Sequence, residues 1–254
     1  MSISHPSIVL FGDSITQYSF NRDGWGTGLA EAYQRRLDVV SRGHGGYNSR
    51  WSLHLFDRLF APFAAAPPAL VTVFFGANDA AHPDRVSRAQ HVPLPEFKQN
   101  LSAIVDRLRA LGVKRVVLIG APPVYGPARI EHVLKTKGVA IAEPERTDEL
   151  AGAYSRAAAE VAAAKGVPFV ETWGPFHAVS GWETKLLSDG LHLTPAGNDR
   201  LLSLLQESIE GNFPELVPDR VRFVVPAWAD FAEAQDPVAE LDRLVDEQQR
   251  TSAL

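Results

Sequence analysis

The 254-residue chain contains no cysteine. That excludes a disulfide framework, thiolate metal sites and a cysteine nucleophile, and it fits a reducing compartment, so a cytoplasmic location is expected. Long apolar runs are also missing. No stretch approaches the ~18 consecutive apolar residues that a membrane span requires. The first residues, Met1-Ser2-Ile3-Ser4-His5-Pro6-Ser7, carry no basic region, and neither a secretory signal nor a transit peptide is expected. Basic charge is not in excess: 25 Lys and Arg against 30 Asp and Glu give a net charge of −5. Such a balance offers no general attraction to nucleic acid or anionic membranes. Neither a Walker sequence nor H-E-x-x-H occurs, and Gly24, Gly26 and Gly28 do not complete G-x-G-x-x-G. Asp189 and His192 lack further ligands at metal-binding spacing, so neither a metal nor a cofactor is expected. At the other end, Ser252-Ala253-Leu254 is close to the peroxisomal Ser-Lys-Leu address but lacks its basic centre.

What is present is an ordinary globular balance, 45% apolar and 22% charged, enough to bury a sizeable core. Five short apolar runs rich in β-branched residues are predicted as buried strands: Ser7–Phe11, Leu37–Ser41, Ala69–Phe75, Arg115–Ile119 and Val167–Glu171. Helical patterns lie between them, at Trp25–Arg36, Asn48–Phe63, Pro95–Leu111 and Arg146–Lys165, and from Thr194-Pro195 to about Asn212. In Pro95–Leu111 the apolar positions Phe97, Leu101, Ile104, Val105 and Leu108 form one stripe, and Gly112 supplies the stop. This alternation predicts an α/β fold, a mostly parallel sheet covered on both faces, with every strand's C-terminal end on one edge. Residues 1–213 read as one domain and 214–254 as a C-terminal extension. Its apolar run Val221–Phe231 reads as a strand or extended arm, packed on the domain or across a homodimer. Pro122–Thr147 reads as a Pro- and Gly-punctuated insertion without a legible shape.

Chemistry concentrates at the strand ends. Ile8-Val9-Leu10-Phe11 runs into Gly12-Asp13-Ser14, which places Ser14 on a tight turn at the ligand-binding edge. Taken alone, Ser14 is either a helix cap or a nucleophile that needs a base. A second motif, Gly76-Ala77-Asn78-Asp79, puts an amide on the same edge, where it can donate to an oxyanion. The second strand ends in Gly43-His44-Gly45-Gly46, where the Gly46 N–H becomes another donor, and the Ser14 N–H a third. In Asp189-Gly190-Leu191-His192 the spacing lets the carboxylate hold imidazole Nδ1–H, leaving Nε2 toward the serine. Asp79-Ala80-Ala81-His82 repeats that spacing, but His82 follows Asn78 too closely to serve as the base. The remaining histidines read as surface or packing residues, with His44 and His177 candidates for pocket walls.

Together these segments resemble the SGNH, or GDSL-type, hydrolase superfamily, whose four name residues match Ser14, Gly46, Asn78 and His192, with Asp189 as the acid. Longer stretches are similar to its isoamyl acetate-hydrolysing esterase branch: Phe11 to Gln17, Gly46 to Trp51, Phe74 to Ala80, Gln90 to Leu94 and Asp189 to Thr194. The resemblance implies a three-layer α/β/α sandwich with a five-stranded, flavodoxin-like sheet, metal-free hydrolysis of small carboxylic esters, and homologues that often self-associate. Two departures stand out: Ile15 replaces the leucine of the GDSL label, and Ser41-Arg42-Gly43-His44-Gly45 differs from the expected Asn-Arg-Gly-x-Ser.

The expected activity is that of a serine esterase acting on short, acetate-type esters of small hydrophobic alcohols. Asn48, Trp173 and Trp182 are expected to touch substrate, with Trp25, Trp51 and Phe176 as further aromatic residues near the catalytic edge. Carbohydrate deacetylation and lysophospholipid or thioester hydrolysis are the alternatives within the fold. A flavodoxin-like binding module is the non-enzymatic alternative, against which Asp13 stands, since a carboxylate faces where a phosphate would sit.

Overall fold

The computed structural model describes residue 3 and residues 5–251, so Ser252-Ala253-Leu254 lies outside the described residues. Ser7–Gly12 (β1), Asp38–Gly43 (β2), Leu70–Phe74 (β3), Val116–Ile119 (β4) and Phe169–Val170 (β5) form one all-parallel sheet in the order β2-β1-β3-β4-β5. This is the flavodoxin-like order. The chain winds outward from β1 to β2, then reverses through β3, which opens a crevice at the C-terminal end of β1. Every residue of β1 and β3 is buried, as expected of central strands covered on both faces. Ile8, Val9, Leu10 and Phe11 each contribute roughly 1.5–3 kcal/mol by leaving water.

Ten α-helices lie among the described residues: Ser14–Gln17 (α1), Trp25–Ala32 (α2), Ser49–Phe60 (α3), Leu94–Ala110 (α4), Gly126–Lys137 (α5), Asp148–Lys165 (α6), Trp173–His177 (α7), Trp182–Lys185 (α8), Pro195–Asn212 (α9) and Pro237–Thr251 (α10). Alternation along β1 sorts them into layers. Ile8 and Leu10 pack with Trp25 and Leu29 of α2 and with Leu201 and Leu205 of α9. Val9 and Phe11 meet Phe56 and Phe60 of α3, Phe97, Leu101 and Ile104 of α4, and Tyr154 and Ala158 of α6. The α9 start is capped as its sequence indicates, with Thr194 Oγ1 accepting the Gly197 N–H and Pro195 at the first position. Helix α6 begins two residues later than the spacing predicts, because Thr147 caps it and leaves Arg146 outside. None of the described helices is long and apolar enough to cross a membrane.

Two stretches differ from their sequence expectation. The Pro122–Thr147 region is not shapeless, since residues 126–137 form α5, ended by Gly138 at φ +66°. The arm Val221–Phe231 forms no strand. Val221 and Val224 are buried, the Val224 N–H donates to Arg35 O, and the guanidinium groups of Arg35 and Arg36 cover the Phe223 ring. Trp228 is 75% exposed and is followed by α10, a helix not anticipated from the sequence.

Candidate active site

The parallel register brings three loops together. Gly12 pairs with Gly43 on one side and Phe74 on the other, so Ser14, Gly46 and Asn78 emerge two, three and four residues beyond neighbouring strand ends. A Cβ on Gly12 would lie 2.1 Å from Thr16 Oγ1 and 2.6 Å from Phe74 O, so only glycine allows so tight a turn. Asp13, not Ser14, caps α1, its Oδ1 accepting the Ile15 N–H at 2.9 Å. That releases Ser14 Oγ from the capping role left open by the sequence. Trp25 is buried beneath the turn, its Nε1–H donating to Ile15 O.

The Asp189–His192 turn approaches from a different loop. It is closed by a bridge between Leu187 and Leu193 and by Gly190 at φ +81°, packed against Tyr125 O. Asp189 Oδ1 accepts the N–H groups of Leu191 and His192, which turns Oδ2 toward the imidazole. Asp189 Oδ2 lies 2.8 Å from His192 Nδ1, and His192 Nε2 lies 2.9 Å from Ser14 Oγ. Arg129 Nη1 and His132 Nδ1 stand 3.1 Å from the same carboxylate oxygen. Burial alone would raise the Asp189 carboxyl, but the bonds from His192 and the charge of Arg129 hold it well below the usual range. An ionised acid facing Nδ1 selects the tautomer whose Nε2 accepts the serine proton.

Asn78 completes the arrangement. Its Oδ1 accepts from Arg146 Nη2 at 2.8 Å and its Nδ2 donates to Tyr47 O at 2.8 Å, which leaves one amide hydrogen for a ligand. Ser14, Gly46, Asn78 and His192 line one hollow of about 210 Å³, whose wall includes Gln90, Arg129, His132, Val133, Lys137 and Leu191. A second hollow of about 400 Å³ adjoins it through Tyr18, His132 and His192, and is bounded by Arg22, Asp189, Asn198 and Pro195. This geometry can deprotonate a hydroxyl and receive negative charge on a carbonyl oxygen beside it.

Three expected substrate contacts fall elsewhere. Asn48 is fully buried: its Oδ1 caps α3 through the Trp51 N–H and its Nδ2 donates to Gln90 O, so both ends of the amide are used inside the protein. Trp173 donates to Asp148, packs at a tilt on His177, and lines a hollow beside Phe169 and Gly152, away from Ser14. Trp182 packs against His177 and Tyr125 and borders neither hollow at Ser14. Trp25 and Phe176 are core residues, and Trp51 meets Tyr47 at the surface. In place of an aromatic wall the site has Tyr18, whose ring lies edge-on to His192, and a set of polar side chains.

Of the two wall candidates, His44 packs on Tyr47 and His177 is held by Asp148. The alternative pair separates: Asp79 is buried, bonded to the Ser49 N–H, and pushed up to about 6 by burial, whereas His82 bonds Asp84. Burial likewise pushes Asp13 up to about 7, against the bond from Ile15. Sequence reasoning passed over Tyr18, Gln90, Arg129, His132, Glu145 and Arg146 as members of the site. Only Gln90 carried a signal, since it opens one of the segments on which the family resemblance rests.

The comparisons with known proteins agree with the geometry. A model of the GDSL-like lipase/acylhydrolase family matches residues 10–200. A GDSL esterase/lipase of Arabidopsis thaliana is 46% identical over 195 residues, covering 76% of this chain and 81% of that relative. The isoamyl acetate-hydrolyzing esterase 1 homolog of Bos taurus is 38% identical over 239 residues, covering 93% and 92%. Among solved structures, a lipase/acylhydrolase from Enterococcus faecalis superposes with a TM-score of 0.63 at 25% identity, covering 81% of this chain and 96% of its own. The acetyl xylan esterase AlAXEase shares the fold, with a TM-score of 0.63 at 21% identity over 80% and 99% of the two chains. With its motifs gathered at one sheet edge, the chain is a carboxylic ester hydrolase that belongs to the GDSL-like lipase/acylhydrolase family.

Proposed function

We propose that Ser14 is the nucleophile of this hydrolase, His192 its general base and Asp189 the acid that orients the imidazole. Ser14 Oγ attacks the ester carbonyl as its proton passes to His192 Nε2. The tetrahedral oxyanion accepts hydrogen bonds from the N–H groups of Ser14 and Gly46 and from Asn78 Nδ2. Collapse transfers the proton to the departing alkoxide, leaving an acyl-enzyme that water hydrolyses by the same steps in reverse. The observation that carries this reading is the unbroken Asp189–His192–Ser14 contact chain, at 2.8 and 2.9 Å, ending beside the free amide hydrogen of Asn78.

The proposed substrates are short, acetate-type esters of small alcohols. The 210 Å³ hollow at Ser14 suits an acyl group of a few carbons between Val133 and Leu191, and isoamyl acetate-hydrolyzing relatives align over nearly the whole chain. A sugar acetate is the second reading, favoured by the polar wall of Gln90, Lys137, Arg129 and His132. A p-nitrophenyl ester series from acetate to palmitate, beside isoamyl acetate and an acetylated sugar, separates the two. Highest kcat/KM on acetate and isoamyl acetate is expected. Preference for palmitate overturns the short-chain reading, and turnover of the sugar ester alone replaces it with the second.

A further inference from the structure

Behind the reacting groups lies a buried ionic bridge that the proposed chemistry does not use directly. Arg146 has a side chain only 4% exposed and the Glu145 side chain only 1%. The Arg146 guanidinium spreads over four acceptors: Ala77 O at 2.8 Å, Glu145 Oε1 at 2.8 Å, Asn78 Oδ1 at 2.8 Å and Gln90 Oε1 at 2.6 Å. Gln90 in turn donates through Nε2 to Gly46 O at 2.8 Å. Glu145 Oε1 also accepts from Arg129 at 3.0 and 2.6 Å, and Arg129 reaches Asp189. One continuous network therefore joins the acid at one end of the site to two oxyanion donors at the other.

The contacts have a directional consequence. An Asn amide looks nearly the same after a 180° flip, so packing alone does not choose between its two faces. Here the flipped amide would turn Nδ2 toward the N–H groups of Arg146 and Oδ1 toward Tyr47 O, giving two repulsive contacts in place of two hydrogen bonds. Without Arg146, one of those two penalties disappears. The flipped amide would present a carbonyl oxygen to a developing oxyanion and repel it. Gln90 acts on Gly46 one step further away: its Nε2 holds Gly46 O, the carbonyl side of a residue at φ +78° whose N–H, on the preceding peptide, is the donor. A buried ion pair is a poor means of adding stability, since apolar residues of similar volume often do as well or better. Its contacts give it a different use here.

We propose that Arg146 is a positioning residue for the oxyanion hole, acting through Asn78 and Gln90, with Glu145 tying it to the Arg129 contact on Asp189. This rests on the serine-esterase reading above. The test is a double-mutant cycle on kcat with p-nitrophenyl acetate, using Asn78→Ala, Arg146→Gln and the pair, alongside Ser14→Ala. Arg146→Gln should lower kcat on the order of 10–100-fold, as supporting partners of reacting groups do, with KM changed less than about threefold. In the Asn78→Ala background the same substitution should cost less than about threefold, because the amide it orients is gone. Equal losses in both backgrounds would overturn the proposal while leaving the serine-esterase reading intact. An active Ser14→Ala enzyme would overturn that reading and this proposal with it. If Arg146→Gln does not fold, Gln90→Leu decides instead: it leaves the ion pairs in place and should lower kcat severalfold at constant KM. An unchanged kcat in that variant would overturn the Gln90 half of the role assigned to Arg146.

Discussion

The two halves of the site are built in different ways. On the side of the proposed nucleophile, Ser14, Gly46 and Asn78 leave three neighbouring parallel strands within four residues of the ladder's end, so main-chain register places them. On the proposed acid's side, Asp189 and His192 sit on a loop far from β1 in sequence, and side chains hold that loop: the Arg129 guanidinium and the His132 imidazole on Asp189, then Glu145 behind Arg129. Backbone geometry tolerates changes in the side chains around it. An ionic clamp does not, because a missing partner leaves a buried charge uncompensated. The nucleophile half should therefore fail chemically when mutated, and the acid half should fail structurally as well.

The largest expected effect is on Ser14→Ala, which should lower kcat by at least ~10⁴-fold, with a far-UV spectrum and melting temperature like those of the parent. Asn78→Ala follows, with a loss on the order of 10²–10³ in kcat measured on p-nitrophenyl acetate. Across the comparison, Glu145→Gln should destabilise the fold by about 3–5 kcal/mol in denaturant titrations, since it leaves Arg129 and Arg146 buried without their shared countercharge. A Glu145→Gln protein as stable as the parent would erase the distinction between the halves.

A smaller, pH-dependent effect belongs to Asp13. Its folded-state carboxyl is pushed up to about 7, so the native state binds more protons than the unfolded chain, whose aspartate titrates near 3.8. The Asp13 contribution is thus fully present below the unfolded value and is lost as pH rises from about 4 to 7. Asp79, pushed up to about 6, acts in the same direction. Asp13→Asn keeps an oxygen for the Ile15 N–H and should flatten the fall in melting temperature between pH 5 and pH 8. An identical slope in parent and variant would contradict this. At the bottom of the scale, Trp228→Ala should change stability by no more than about 0.5 kcal/mol, because that side chain stands in solvent.

Much of this protein was determined locally by the sequence. All five strands and the principal helices follow from β-branched runs, 3.6-residue stripes and caps such as Thr194-Pro195, each of which acts over a few neighbouring residues. The Asp-x-x-His turn and the glycines at 12, 43 and 46 are equally local, which is why the motif residues could be read before any fold was known. Asn48 shows the limit: its side chain belongs to a helix cap and to Gln90 O, a partner 42 residues away. Trp173 and Trp182 lie near the same sheet edge in sequence order, but packing turns both away from Ser14. The fifth strand lies where the sequence places it, but only Phe169 and Val170 of the expected Val167–Glu171 pair with β4. Only the tertiary structure decided which polar side chains surround the proposed catalytic groups. Arg129, Glu145, Arg146 and Gln90 meet through ion pairs and hydrogen bonds between segments up to 56 residues apart, and such contacts leave no periodic trace in the chain.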